Sequence, residues 1–174
     1  MPNNHDKATQ PNFELNHHQV KGHFARYELN SIQLVDRPIS QIFEFFSDAK
    51  NLETLTPPWL SFKILEAPAT LNKGSMIRYQ LRLYGIYVRW LTEISSWDPP
   101  HSFSDIQRRG PYSIWEHTHQ FTAKATGTEI SDHVVYELPI RPIAPLIRSL
   151  FVKRQLDKLF TYRAQRIAEL FNGD

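Results

Sequence analysis

The sequence predicts one α+β domain in which an antiparallel sheet packs on one face against a long closing helix. Segments with alternating apolar and polar residues follow one another from about residue 61 to 138 and are separated by short turn sequences. From about residue 142 to 171, apolar residues recur at helical spacing instead. The length of 174 residues fits a single domain of ordinary size.

The N-terminal part of the chain differs in composition from the rest. Residues 1–22 are polar, contain Pro2 and Pro11, and show no apolar period. We therefore predict a flexible arm over 1–22, followed by one folded domain over 23–174. His17 and His18 are interpreted as part of this solvated arm rather than as a metal-binding tract.

A strand and two short helices are predicted next. The strand covers about 24–35, and Pro38 suits the first turn of the helix that follows it. Ile39, Ile42 and Phe43 begin an apolar face at helical spacing. A second short helix is expected near 48–55, because two prolines at 57 and 58 end it.

Six further strands are expected at 61–66, 75–84, 86–97, 101–109, 113–124 and 128–138. Tyr84-Gly85 fits a tight hairpin turn between the second and third of these. Alternation places Tyr79 and Trp90 on the inner face, where they pair across this hairpin. They are either cavity walls or core residues.

Composition excludes several functional classes. Lys and Arg number 20 against 18 Asp and Glu, so nothing indicates nucleic-acid binding. The absence of cysteine excludes disulfides, cysteine-ligated zinc and thiol catalysis. No apolar run approaches the ~20 residues of a membrane-spanning helix, and no secretory signal pattern opens the chain. We expect a cytoplasmic protein without stable membrane insertion.

The most informative feature is a set of polar residues on the inner face of three successive strands. Same-parity residues of a strand share a face. The polar set is Asp105, Gln107, His117, His119 and Asp132, and the aromatic and aliphatic residues interleaved with it are Phe103, Trp115, Phe121, Ile130, Val134 and Tyr136. If the turn at 110–112 is a three-residue loop, Asp105 lies opposite His117. Across the next turn, Asp132 lies opposite His119 or Phe121, depending on the length of that loop.

Three interpretations of this cluster compete, because buried polar groups need partners. The cluster is a satisfied internal network, or a cavity lining that orients an apolar ligand, or a site of chemistry. For chemistry, His117, His119 and Asp105 are the candidate catalytic residues, and a two-histidine, one-carboxylate metal set is conceivable. No phosphate loop, nucleophile elbow or dinucleotide fingerprint is present, and we predict no metal and no other cofactor.

Several stretches also resemble a bacterial branch of the SRPBCC, or START-like, superfamily, which includes polyketide cyclase/dehydrase-like proteins. They are residues 51–60 (NLETLTPPWL), Gly110-Pro111-Tyr112, Trp115-x-His117-x-His119-x-Phe121 and Phe160-Thr161-Tyr162-Arg163. The resemblance covers about residues 24–171. It implies a helix-grip fold, with a seven-stranded antiparallel sheet curved around the C-terminal helix and a deep cavity between them. Members of the superfamily bind lipids, sterols, polyketides or plant hormones, and some are cyclases.

We therefore expect the protein to bind, or to bind and transport, a small apolar, aromatic or lipid-like molecule in an internal cavity. The alternatives are a cyclase-type enzyme that uses His117 or His119 as acid and base, and a protein-interaction module with a vestigial cavity. The expected ligand-binding residues are Trp59, Tyr79, Trp90, Phe103, Asp105, Gln107, Trp115, His117, His119, Phe121, Asp132 and Tyr136. Trp59 either gates the cavity or packs on the core. The basic residues of the last helix, which are Arg148, Lys153, Arg154, Lys158, Arg163 and Arg166, are expected to form a solvated outer face rather than a membrane-binding one.

Overall fold

An antiparallel sheet of eight strands wraps around a long C-terminal helix in the computed structural model, which describes residues 13–139 and 141–171. The strand order is β1-β2-β8-β7-β6-β5-β4-β3. The strands are β1 Phe13–Gln19, β2 Arg26–Val35, β3 Lys63–Glu66, β4 Met76–Leu83, β5 Ile86–Asp98, β6 Ser102–Arg109, β7 Ile114–Lys124 and β8 Gly127–Glu137. The predicted α+β helix-grip architecture is therefore confirmed.

The helical elements lie between β2 and β3 and after β8. The first group is α1 Ile39–Ser47, α2 Asn51–Thr54 and a 3-10 turn over Pro58–Leu60. The second group is a 3-10 turn over Arg141–Ile143, α3 Ala144–Ile147, a π-helical turn over Arg148–Val152 and α4 Lys153–Phe171. The last three of these follow one another without a break, so the single long helix predicted from the spacing is confirmed.

The strand count differs from the prediction by one. Phe13–Gln19 pairs with β2 along its whole length, in a segment that was predicted to be part of a flexible arm. Phe13, Leu15 and His17 are partly buried and alternate with exposed residues. This alternation is sufficient for an edge strand with one face on the core, because successive side chains point to opposite faces. The rest of the predicted arm, residues 1–12, lies outside the described residues.

The hairpin between β4 and β5 confirms its predicted turn. Leu83 pairs with Ile86, and the two residues between them, Tyr84 and Gly85, have φ angles of 49° and 87°. Two successive positive φ angles match the right-handed twist of adjacent strands. Further along, the register of β5 against β6 shifts twice, after Leu91 and after Ile94, and such irregularities bend a strand.

Two apolar clusters hold the helices against the concave face of the sheet. In one, Phe43 and Phe46 of α1 pack against Phe103 and Phe121. In the other, Leu156 and Phe160 of α4 pack against buried residues of β2 and β8, among them Leu29 and Val134. A space remains between these clusters, and the candidate site lies there.

Candidate functional site

A cavity of about 150 Å³ lies between the concave face of β4–β7, the helices α1 and α2, and α4. Its walls are mostly apolar, with contributions from Leu60, Leu81, Ile94 and Leu159. Seven of the twelve residues predicted to bind a ligand line it, and these are Tyr79, Trp90, Phe103, Asp105, Trp115, His117 and His119. A mainly apolar pocket with a few convergent polar groups is typical of small-molecule sites.

The aromatic part of the wall is one continuous group of rings. Tyr79 and Trp90 are stacked across the β4–β5 hairpin with ring centroids 5.8 Å apart, as their facing register predicted. Trp115 meets Trp90 edge-on at 5.4 Å, and Tyr112 contacts both indoles. These rings pack against one another and restrict each other's rotation, so they form one continuous aromatic wall.

Five residues assigned to the ligand from the sequence do not line this cavity. The amide of Gln107 donates to the carbonyl oxygen of Tyr112 at 2.6 Å and therefore holds the β6–β7 turn. Trp59 is half exposed, and its ring meets Tyr162 of α4 at 5.6 Å. Alternation gave the inner face for Gln107 correctly, but it does not show how far along that face the cavity extends.

The other three lie beneath the cavity or beside it. Phe121 packs in the core between Phe46 and Phe103. Tyr136 is fully buried and accepts a hydrogen bond of 3.2 Å from Arg148. Asp132 lies under the two histidines, where it forms the polar network described next.

We call Ser31, His117, His119 and Asp132 the Asp132 network. The hydroxyl of Ser31 donates to Asp132 Oδ2 at 2.9 Å, and His117 Nε2 lies 3.1 Å from Asp132 Oδ1. His119 Nδ1 is 2.7 Å from the same oxygen, but its orientation does not satisfy hydrogen-bond geometry. His119 lies directly opposite Asp132 in the sheet, which is one of the two registers predicted.

Asp132 is the anion of this network. Burial by itself raises the pKa of Asp132, but the N–H groups of His117 and His119 outweigh this and hold the pKa well below its usual value. An ionised carboxylate only accepts hydrogen bonds, so His117 carries its proton on Nε2. Burial, with the charge of His119, lowers the pKa of His117 to about 3, so this imidazole is neutral at pH 7.

Asp105 has a different environment on the same face. It lies opposite His117, as the turn length predicted, but its Oδ2 is 3.8 Å from His117 Nδ1, which is too long for a hydrogen bond. Burial raises the pKa of Asp105 to about 6, and attraction to His119 and Arg163 offsets only part of this rise. Asp105 therefore titrates within reach of neutral pH.

Asp105, His117 and His119 are also the described residues that together could hold a metal ion. One ligand atom from each lies within 4.8 Å of the other two. Asp132 would then orient the imidazoles from behind, as carboxylates commonly do at metal sites. The three donors suit a divalent transition metal. The hydrogen bonds of Asp132 to Ser31 and His117 form without one.

The main contribution that sequence reasoning missed comes from α4. Arg163 was predicted to lie on a solvated outer face, but it is 9% exposed and lines the cavity. Leu156, Phe160 and Ile167 are buried on the same helix. Position 163 shares their face by the three- and four-residue spacing of a helix, so that signal was present in the sequence. Gln155 of α4 also lines the cavity.

The described part of the chain contains no helix that is both long enough and apolar enough to cross a bilayer.

Arg148 and Lys153, two further basic residues of the C-terminal helical region, have local partners. Arg148 lies over the ring of Tyr27 at 4.3 Å, and Lys153 pairs with Asp157 at 2.8 Å.

Comparison with known proteins identifies a family and a fold. The profile of the family described as polyketide cyclase / dehydrase and lipid transport matches residues 35–159. No protein with a curated functional description matches the sequence.

Many solved structures share the fold at low sequence identity. Protein Ms6760 from Mycobacterium smegmatis is 17% identical with a TM-score of 0.64, over 90% of this chain and 95% of that one. TTHA0849 from Thermus thermophilus is 23% identical with a TM-score of 0.59, over 82% and 98%. The ginseng major latex-like protein 151 from Panax ginseng is 12% identical with a TM-score of 0.63, over 84% and 98%. At these identities the likeness establishes the fold alone.

Proposed function

Since the chain belongs to the polyketide cyclase/dehydrase and lipid transport family of the SRPBCC superfamily, we propose that it binds a small, largely apolar molecule in its cavity. The molecule is aromatic or lipid-like. The observation that carries this proposal is the cavity of about 150 Å³, with its rigid aromatic wall and few polar groups. A packed protein interior leaves few voids larger than a water molecule, so a space of this size needs a reason.

The size of the cavity limits the ligand. An apolar cavity of roughly 150 Å³ admits a molecule such as benzene. One aromatic ring or a short alkyl chain with a polar end group therefore fits the space without rearrangement. A longer ligand would extend toward Asp48 and Asn51, which border the cavity at the turn between α1 and α2.

Native mass spectrometry of the freshly purified protein tests the proposal. We expect a bound small molecule that is released on denaturation. Leu159→Trp fills part of the cavity from α4 and should abolish the adduct. Leu170→Trp is the matched control, because Leu170 lies on the same helix, is 40% exposed and does not border the cavity. The proposal fails if the wild type carries no adduct and also binds none of four probes in calorimetry, which are 3-phenylpropanoate, octanoate and their amides.

A second candidate function is catalysis of the cyclase type, and the environment of Asp105 favours it. General acid–base catalysis works best with a group whose pKa lies near the working pH. Asp105, with a pKa raised to about 6 by burial, fits this condition better than His117, with a pKa lowered to about 3. In this reaction Asp105 removes a proton from the carbon next to a ketone, and the electron pair moves into the enolate.

Proton exchange in heavy water tests this second candidate without knowledge of the natural substrate. We expect the wild type to accelerate deuterium incorporation next to the carbonyl of 4-phenyl-2-butanone, as followed by NMR. Asp105→Asn should remove the acceleration and keep the binding of this ketone. Equal exchange rates with the wild type and the variant would exclude Asp105 as the base.

A further inference from the structure

Arg163 is a charged side chain in the wall of an apolar cavity. It comes from the middle of α4, is nine-tenths buried, and faces the same space as Trp90 and Asp105. Burial of a charge is costly unless the charge is paired and hydrogen-bonded. Its partners therefore indicate whether Arg163 serves the fold or a ligand.

No hydrogen bond or ion pair to Arg163 exists among the described residues. Its Nε is buried without a partner, and the ring of Phe160 lies 5.3 Å from the guanidinium carbon. Two other partly buried arginines of the same domain have polar partners. Arg26 reaches Glu137 at 3.0 Å, and Arg148 donates to Tyr136 at 3.2 Å.

The two nearby carboxylates, Asp105 and Asp132, do not pair with Arg163. Asp132 already accepts from Ser31 and His117. Asp105 feels the charge of Arg163, yet burial keeps the pKa of Asp105 raised, and no ion pair joins these two side chains. The protein thus holds a guanidinium beside its cavity and supplies no carboxylate within ion-pairing distance of it.

Two neighbouring groups have the same deficit. Trp90 Nε1 and Gln155 Nε2 also lie at the cavity wall without hydrogen-bond partners. All three groups are N–H donors, and each lacks an acceptor among the described residues. A guanidinium presents its N–H groups as a planar fork that matches the two oxygens of a carboxylate.

We propose that the ligand is a carboxylic acid with an apolar body, whose carboxylate pairs with Arg163 inside the cavity. This inference rests on the proposed binding function and adds the class of ligand to it. The walls contact the apolar body, while Trp90 and Gln155 are the nearest additional donors for the acid group. A single guanidinium matches a single carboxylate charge.

Calorimetry with two acids and their uncharged amides tests the inference. The aromatic pair is 3-phenylpropanoate and 3-phenylpropanamide, and the alkyl pair is octanoate and octanamide. In at least one pair we expect the acid to bind the wild type about tenfold or more tightly than its amide, since a charged hydrogen-bonded pair replaces a neutral contact. The pair with the larger preference indicates whether the natural ligand is aromatic or lipid-like.

Arg163→Met keeps the length of the side chain and removes its charge. We expect this variant to lose the preference for the acid, because its affinity for the acid falls by about tenfold or more while its affinity for the amide falls much less. Arg166→Met is the control on the same helix, because Arg166 pairs with Glu169 and does not border the cavity. If the methionine variant does not fold, Arg163→Lys takes its place in the test. This variant retains the charge and should retain part of the preference for the acid.

Two results separate this inference from the proposed function. If amides bind as tightly as acids, or if Arg163→Met keeps the preference, the carboxylate is wrong and the binding function stands. If neither acids nor amides bind and the purified protein carries no small molecule, both proposals fail.

Discussion

Asp105 and Asp132 are the same residue type on the same concave face, two strands apart, yet they belong to different regions of the molecule. Asp132 has a hydroxyl donor at 2.9 Å and two imidazole nitrogens at 3.1 and 2.7 Å. Asp105 has one imidazole nitrogen at 3.8 Å and no hydrogen bond to any residue that the structure describes. Their pKa values accordingly move in opposite directions from the ordinary value of an aspartate.

This difference separates the inner polar residues into two groups. The Asp132 network belongs to the folded core, because Ser31 and His117 are hydrogen-bonded to Asp132 and His119 lies against the same carboxylate. Trp90, Asp105, Gln155 and Arg163 form what we call the unpaired wall, because these side chains line the cavity and have no hydrogen-bond partner among the described residues. Internal network and cavity lining, which the sequence presented as alternatives, therefore occur side by side.

Removal of the two carboxylates gives the largest expected contrast. Asp132→Ala leaves Ser31 and His117 buried without their acceptor and should lower the free energy of unfolding by about 3–5 kcal/mol. Asp105→Ala removes a group with no hydrogen bond among the described residues and should lower the free energy of unfolding at pH 7 by no more than about 1 kcal/mol. Urea denaturation of both variants measures this, and equal losses would contradict the division into two regions.

Replacement of two arginines by methionine extends the comparison to the helical region. In ligand-free protein, Arg163→Met removes an unpaired buried charge and should raise the free energy of unfolding by about 1–2 kcal/mol. Arg148→Met removes a hydrogen bond to Tyr136 and a stacked contact with Tyr27, and should lower it by about 1 kcal/mol. A loss of stability in both variants would mean that Arg163 supports the fold.

The pH dependence of stability should separate Asp105 from its surroundings. The folded-state pKa of Asp105 is about 6, above the unfolded value of 3.8, so its contribution is fully present below pH 3.8 and is lost as the pH rises through 6. His117 and Asp132, whose pKa values are lowered, act in the opposite direction and lose their contributions as the pH falls. Asp105 shares the cavity wall with three other titratable or charged residues, which are His119, Arg163 and Tyr79.

Asp105→Asn isolates the contribution of Asp105. The stability of this variant relative to the wild type should rise by about 1–3 kcal/mol between pH 4 and pH 7, because only the wild type ionises a buried carboxyl there. Urea denaturation at several pH values measures the difference. A flat difference across this range would mean that Asp105 titrates as an exposed aspartate.

Strand parity and helical spacing predicted most of this architecture, because both report local geometry. They placed Asp105 opposite His117 and identified seven of the residues that line the cavity. They did not show where the cavity ends along the sheet. Gln107 and Trp59 were therefore assigned to the ligand, although they do not line the cavity. Arg163 was missed because arginine on a helix is ordinarily solvated, although the helical spacing from Phe160 and Ile167 pointed inward.

The edge strand β1 offers the smallest contrast, between two adjacent histidines. His17 Nε2 lies 2.7 Å from Asp157 Oδ1 of α4, and 4% of the His17 side chain is exposed. His18 points to the other face and is exposed, as strand alternation requires. His17 therefore joins the first strand to the last helix, while His18 contacts solvent.

His17→Ala should lower the free energy of unfolding by about 1 kcal/mol and increase amide hydrogen exchange over Phe13–Gln19, whereas His18→Ala should leave both unchanged. Burial lowers the pKa of His17 from 6.5, so its contribution is fully present above pH 6.5 and falls as the solution becomes more acidic. The difference between the two variants should accordingly shrink toward pH 5. If both variants exchange alike at pH 7.5, the contact with Asp157 does not hold β1, and the strand depends on its pairing with β2 and on the packing of Phe13 and Leu15.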